Sequence, residues 1–108
     1  MSLSTTIPLL QNLLRELEAA GESRFSREIR AALALNESDL AKFLKSNELW
    51  GGAGSVADEA GVRHSREVAR TIEAALVELG KEQLRLGVTN ARTASWVRIF
   101  SEWHKQGI

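Results

Sequence analysis

An all-α fold is predicted for this chain on three observations. Apolar residues recur at spacings of three and four along most of its length, as they do on one face of a helix with 3.6 residues per turn. Alanine, leucine, glutamate and arginine dominate, tyrosine is absent and proline occurs once, a mixture that favours helices over strands. The eight glycines fall mainly where the apolar periodicity stops. The expected architecture is a compact bundle or orthogonal array of four main helices plus one short helix, in a single domain over residues 1–108.

The first helix is expected over 7–20. Thr5 or Thr6 can cap it, Pro8 fits its first turn because the missing N–H would be unpaired there anyway, and Gly21 stops it. Leu10, Leu13, Leu14 and Leu17 form its buried stripe, with Leu9 at the margin. Ser23 or Ser26 begins the next helix, where Phe25, Ile29, Ala32 and Leu33 face inward while Arg24, Arg27 and Arg30 project largely elsewhere. The pattern changes phase near Asn36. Asn36 or Ser38 can cap a short helix carrying Leu40, Phe43 and Leu44 and closing at Asn47, and a kinked continuation of the second helix is the alternative.

Leu49 and Trp50 supply two apolar anchors before the irregular stretch Gly51-Gly52-Ala53-Gly54. Ser55 followed by Asp58 has the spacing of a helix start, which predicts a short helix to about Ala60. After Ser65, the residues Val68, Ile72, Ala75, Leu76 and Leu79 predict a long helix reaching Leu86, with Gly87 as its terminus. Gly80 then lies inside that helix, where it weakens the helix by about 1 kcal/mol relative to alanine but permits a close neighbour. Asn90 is expected to cap a last helix whose apolar face carries Trp96, Val97, Phe100 and Trp103. The two tryptophans are seven residues apart, so they share a face and read first as core and second as a protein interface.

Several functions are disfavoured by composition. Lysine plus arginine and aspartate plus glutamate both total 14, so no global field draws the chain to nucleic acid or an anionic membrane, although a local patch can. Cysteine is absent, which removes disulfides, thiolate catalysis and cysteine metal sites. The opening MSLSTTIPLL has no basic n-region and its apolar run stops at Gln11, so a cytoplasmic location without membrane association is expected. His64 and His104 lie forty positions apart with no metal-ligand spacing, so neither a metal nor any other cofactor is expected.

Asp58 and Glu59 are adjacent and point about 100° apart on a helix, which does not make a general acid/base pair. Ser55 follows a glycine-rich run and precedes His64 by nine residues, but the G-x-S-x-G elbow of serine hydrolases is missing. The chain is therefore expected not to be an enzyme. The stretch Trp50–Ser55 has three readings: a sharp turn with Trp50 filling the core, a partner-contact loop, or an anion site of glycine amides at a helix start.

Val56-Ala57-Asp58-Glu59-Ala60-Gly61-Val62, followed by Ser65, Val68, Ala69 and Arg70, resembles the helix-turn-helix of bacterial repressors, in which valines pack the angle between two helices and glycine makes the turn. The interval from Val62 to Val68 is one residue longer than usual. The resemblance implies phosphate contacts from Arg63, Arg66 and Arg70. Against it, residues 51–64 contain one basic and two acidic residues and residues 65–108 seven and five, a net charge of only +1.

Glu48-Leu49-Trp50-Gly51-Gly52-Ala53-Gly54-Ser55, the run Leu76-Val77-Glu78-Leu79-Gly80-Lys81, and a last helix with Trp96 and Trp103 together resemble a small uncharacterised bacterial all-helical domain family. That resemblance implies a bacterial source and carries no chemistry onto individual residues. The functional expectation is a non-enzymatic protein-binding or regulatory module, an immunity or inhibitory partner protein among the forms it can take. Trp50, Gly52, Gly54, Asp58 and Glu59 would shape or border its contact surface, and the partner is another protein or a second copy. The alternative is a helix-turn-helix DNA-binding transcriptional regulator.

Overall fold

A computed structural model describes residues 2–108. A single 3-10 turn, Ser4–Thr6, leads into α1 (Ile7–Ala19), α2 (Ser23–Leu33), α3 (Glu37–Leu44), α4 (Val56–Glu59), α5 (Arg66–Leu86) and α6 (Thr93–Lys105). The fold is an all-α bundle, with six α-helices among the described residues in place of the expected four plus one. Both intermediate segments become helices because each begins at a residue that caps it. Asn36 is extended (φ −69°, ψ 169°), which ends the α2 path and excludes a kinked continuation, and its Oδ1 accepts from the Asp39 amide at 2.8 Å. Ser55 Oγ accepts from the Asp58 amide at 3.1 Å, as expected from the spacing, though α4 lasts barely one turn.

The 21-residue α5 is the axis of the bundle. It packs on α6 along one side and on α1 along another, and α1 in turn packs on α2. Leu10, Leu13 and Leu17 of α1, Phe25 and Ile29 of α2, and Ile72, Leu76 and Leu79 of α5 are buried together with Val97 and Phe100 of α6. Leu14, Leu33, Phe43, Val68 and Trp103, expected in the core, sit half-buried against it. Their places are taken by residues outside the periodic stripes, among them Leu3, Leu49, Val56 and Val88, because the connecting segments fold inward.

Thr6 occupies the position before α1, but its hydroxyl donates to the Leu3 carbonyl at 2.7 Å and does not cap the helix. The Thr5 hydroxyl donates to the Glu82 carboxylate, which also accepts from Arg85, at 2.7 Å from its Nε. The start of the chain is thereby tied to α5. Just beyond, at the same end of α5, Gly87 is left-handed (φ 75°), and the Val88 amide returns to the Gln83 carbonyl at 3.0 Å, closing the helix where the sequence predicts. α6 begins at Thr93, three residues after Asn90, yet Asn90 still serves its amides: Oδ1 accepts from Arg92 at 2.8 Å and Thr93 at 3.1 Å.

Two features of α5 set the position of the long α3–α4 connection. A Cβ at Gly80 would collide with Val97 Cγ2 and lie 3.1 Å from Trp50 Cζ2, so the absence of a side chain there lets α6 and Trp50 approach the helix backbone. One turn further on, Gln83 is 0% exposed and fully hydrogen-bonded. Its Oε1 accepts from the Trp50 indole at 2.8 Å, and its Nε2 donates to the Leu44 carbonyl at 2.8 Å and the Val88 carbonyl at 2.9 Å.

Gly80→Ala should lower stability by about 1 kcal/mol or more in urea unfolding, since overpacking by roughly 1–3 kcal/mol outweighs the gain in helix propensity. Adding Val97→Ala should recover part of that loss relative to Val97→Ala alone. Gln83→Leu should cost about 3 kcal/mol, because three buried polar groups lose their partner at once. The Trp50→Phe change should be less damaging in that background than in the native chain. Hydrogen bonds from Arg85 first and Thr5 second lower the Glu82 pKa to about 2. A depressed carboxyl stabilises the fold above its unfolded value of 4.5 and loses that contribution as pH falls through about 2. Carbon-13 titration should therefore place the Glu82 midpoint near pH 2 and move it upward in Thr5→Val.

Candidate functional site

The glycine loop is held from below and from both sides. Trp50, read both as filling the core and as a residue that would shape or border a contact surface, is 0% exposed, so it supports the loop from the core and presents nothing to a partner. Its carbonyl accepts from Asn90 Nδ2 at 2.9 Å, and the Gly51 carbonyl accepts from the Trp96 indole at 3.0 Å. Arg24 Nη2 donates to the Gly54 carbonyl at 3.2 Å while its Nε lies 3.6 Å from Glu28. Burial pushes the Glu28 carboxyl above its usual pKa, with Arg24 pulling the other way. Gly52 and Gly54 are partly exposed.

The amides from Gly54 to Ala57, at the entry to α4, are already spent internally, which weighs against the anion reading at that helix start. Gly54 N–H donates to Glu59 Oε1 at 3.1 Å, Ser55 N–H to the Gly52 carbonyl at 3.1 Å, and the amides of Val56 and Ala57 reach the carbonyls of Glu48 and Leu49. A carboxylate of the chain itself occupies the place an external anion would need. Ser55 is buried and its Oγ caps α4, whereas His64 Nε2 lies 2.7 Å from Glu22 Oε1. Each has a structural partner of its own, and no hydrogen bond joins the two among the described residues. No group of three His, Asp or Glu side chains is placed to hold a metal among the described residues.

The opening with the most varied chemistry lies beside this loop, where the α4–α5 turn faces α6. It is a cleft of about 330 Å³ whose lining includes Asp58, Val62, Glu73, Trp96, Phe100 and Trp103. The three rings form a ladder, with centroids 5.2 Å apart between Trp96 and Phe100 and 5.7 Å between Phe100 and Trp103. Phe100 is buried, and the two tryptophans are half-buried at its flanks. Asp58 is the expected contact residue that lines the cleft, whereas Glu59 turns to the glycine loop. Val62 stands at the cleft with 73% of its surface exposed. The helix-turn-helix resemblance would pack that valine between helices, and the structure leaves it in solvent.

The proposed DNA-contact arginines divide. Arg63 is exposed. Arg66 makes a two-pronged pair with Glu73 at 3.1 and 3.0 Å, donates to the Ile108 carbonyl at 3.0 Å, and lies over the Trp103 ring at 5.7 Å. Arg70 donates to the same carbonyl at 3.1 Å. Gly61 does make the close approach expected of a small residue, since a Cβ there would lie 3.2 Å from Ala69 Cβ.

Arg66→Gln should lower stability by about 1–2 kcal/mol in urea unfolding, because Glu73 is mostly buried while Arg66 is half-exposed and partly screened. Arg66→Lys should recover less than half of it, since an ammonium cannot match the two-pronged geometry.

Compared with known proteins, the chain matches no family profile, no curated protein and no solved structure.

Proposed function

We propose that the chain is a non-enzymatic protein-binding module, of the kind that regulates or inhibits its partner, and that the cleft between the α4–α5 turn and α6 is its contact face. The observation that carries this reading is Val62, an aliphatic side chain left 73% exposed beside half-buried Trp96 and Trp103. An apolar residue standing alone on a surface needs no explanation, but one beside an aromatic-walled depression has the composition of an interface centre. Charge adds direction. Among the described residues Asp58 has no salt-bridge partner, while the cleft's Glu73 is matched by Arg66 and its His64 lies on Glu22, so Asp58 is the unmatched charge of the cleft. The favoured partner surface therefore presents an aliphatic or aromatic anchor next to a lysine or arginine.

DNA recognition through Arg63, Arg66 and Arg70 has less support, because Arg66 and Arg70 are engaged with Glu73 and the Ile108 carbonyl. The two readings separate in one experiment. Peptides selected from a random display library on the native chain should be enriched in an apolar anchor beside a basic residue. Asp58→Lys and Val62→Asp should each weaken their binding about tenfold, the loss of one well-placed contact, without lowering the melting temperature. Selected peptides that ignore both substitutions, or a native chain that binds duplex DNA sequence-selectively while yielding no such peptides, would overturn the proposal.

A further inference from the structure

Five times in this chain an acid stands three residues before a base, the spacing at which the two can pair along a helix. Three of these pairs close: Asp39 with Lys42, Glu82 with Arg85, and Glu102 with Lys105. The two that stay open, Glu67 with Arg70 and Glu78 with Lys81, are both on α5. Among the described residues Glu67, Glu78 and Lys81 make no ion pair, and Arg70 reaches only the Ile108 carbonyl. Glu67, Glu78 and Lys81 are exposed, so their charges are free to meet others from outside the fold.

These four charges form one stripe with Ala74 at its centre, in steps of three, four, four and three residues. The stripe lies opposite the buried face of α5 that carries Ile72, Leu76, Leu79 and Gln83. Ala74 is half-buried, and its small side chain lets another helix come close. Beside it, grooves of about 280 and 520 Å³ run between α5 and α6, and both are lined by Ala74 and His104. The smaller one also exposes parts of Val77 and Phe100. Along the stripe the signs run minus, plus, Ala74, minus, plus. Read in reverse, every position meets its opposite.

We infer that this face binds a second copy of the chain, with the two α5 helices antiparallel and crossing at Ala74. Glu67 of each chain then lies level with Lys81 of the other, and Arg70 of each with Glu78 of the other. A parallel arrangement sets every charge against its own copy, so the pattern selects the antiparallel one. Such a contact is isologous and closes as a two-fold dimer. An alanine at the crossing brings the helix axes to about 8 Å, which covers the grooves of both copies together. Asp58, Val62 and Trp96 of the aromatic cleft do not line these grooves, so the inference stands apart from the protein-binding reading.

Sedimentation equilibrium of the full chain tests it. The expected result is a reversible monomer–dimer equilibrium, with a dissociation constant on the order of 10–100 µM, that weakens as salt is raised. Glu67→Lys and Lys81→Glu should each weaken the dimer about tenfold or more, since each sets two like-charge pairs across the interface. Both positions are exposed, so the melting temperature of either variant should change little. An equimolar mixture of the two variants should recover a dimer about as stable as the native one, because each then supplies the sign the other lacks. Val62→Asp should leave the equilibrium unchanged. A chain that stays monomeric to about 1 mM, a dimer indifferent to both charge reversals, or a mixture that recovers nothing would overturn the inference. A dimer lost in Val62→Asp and kept in Lys81→Glu would overturn it too, by placing the contact at the aromatic cleft.

Discussion

The carboxamide of Gln83 is the point on which the molecule depends. It lies in an apolar interior with no access to water, and both its donors and its acceptor are used. The three partners come from the end of α3, the start of the glycine loop and the connection that follows α5. A buried amide that misses a partner loses the hydration it gave up without replacement, so this arrangement tolerates little movement of any of the three segments. Gly80 completes the constraint from the same helix by admitting the Trp50 ring and Val97 to the α5 backbone. The irregular part of the chain is thus held by side-chain and backbone hydrogen bonds where no regular element is available.

The cleft follows from that close approach. With Val97 and Phe100 set against α5, the larger rings at positions 96 and 103 cannot also fit in the narrow interface, and they lie at its flank. Trp96 secures its indole N–H on the Gly51 carbonyl, and Trp103 is covered on one face by Arg66. The α4–α5 turn then forms the opposing wall, with Val62 beside it because Gly61 and Ala69 meet too closely for a side chain between them.

How far each part was legible differs for physical reasons. The helices were readable because burial of one face imposes a period on the residues themselves, and Leu10, Leu13 and Leu17 or Ile72, Leu76 and Leu79 follow it. Asn36 and Ser55 were readable as caps because capping is a contact over three residues. The cleft was only partly legible. The seven-residue spacing put Trp96 and Trp103 on one face, but whether that face is covered depends on α4 and α5. Trp50 was legible as a core residue beneath the glycines, but not its partner, since the Gln83 carboxamide that accepts from it lies 33 positions away in sequence.

Local chemistry in the sequence therefore determined the helical class, the two short caps, the termination of α5 at Gly87 and the absence of thiol chemistry. Each depends on one residue type or on contacts within about one turn. Only the tertiary structure decided that the amides from Gly54 to Ala57 serve Glu59 and nearby carbonyls, that Arg66 and Arg70 hold the Ile108 carbonyl, and that Val62 faces water beside two tryptophans. Those outcomes depend on which groups distant in the chain are brought within 3 Å or so of one another, which no local pattern of residues encodes.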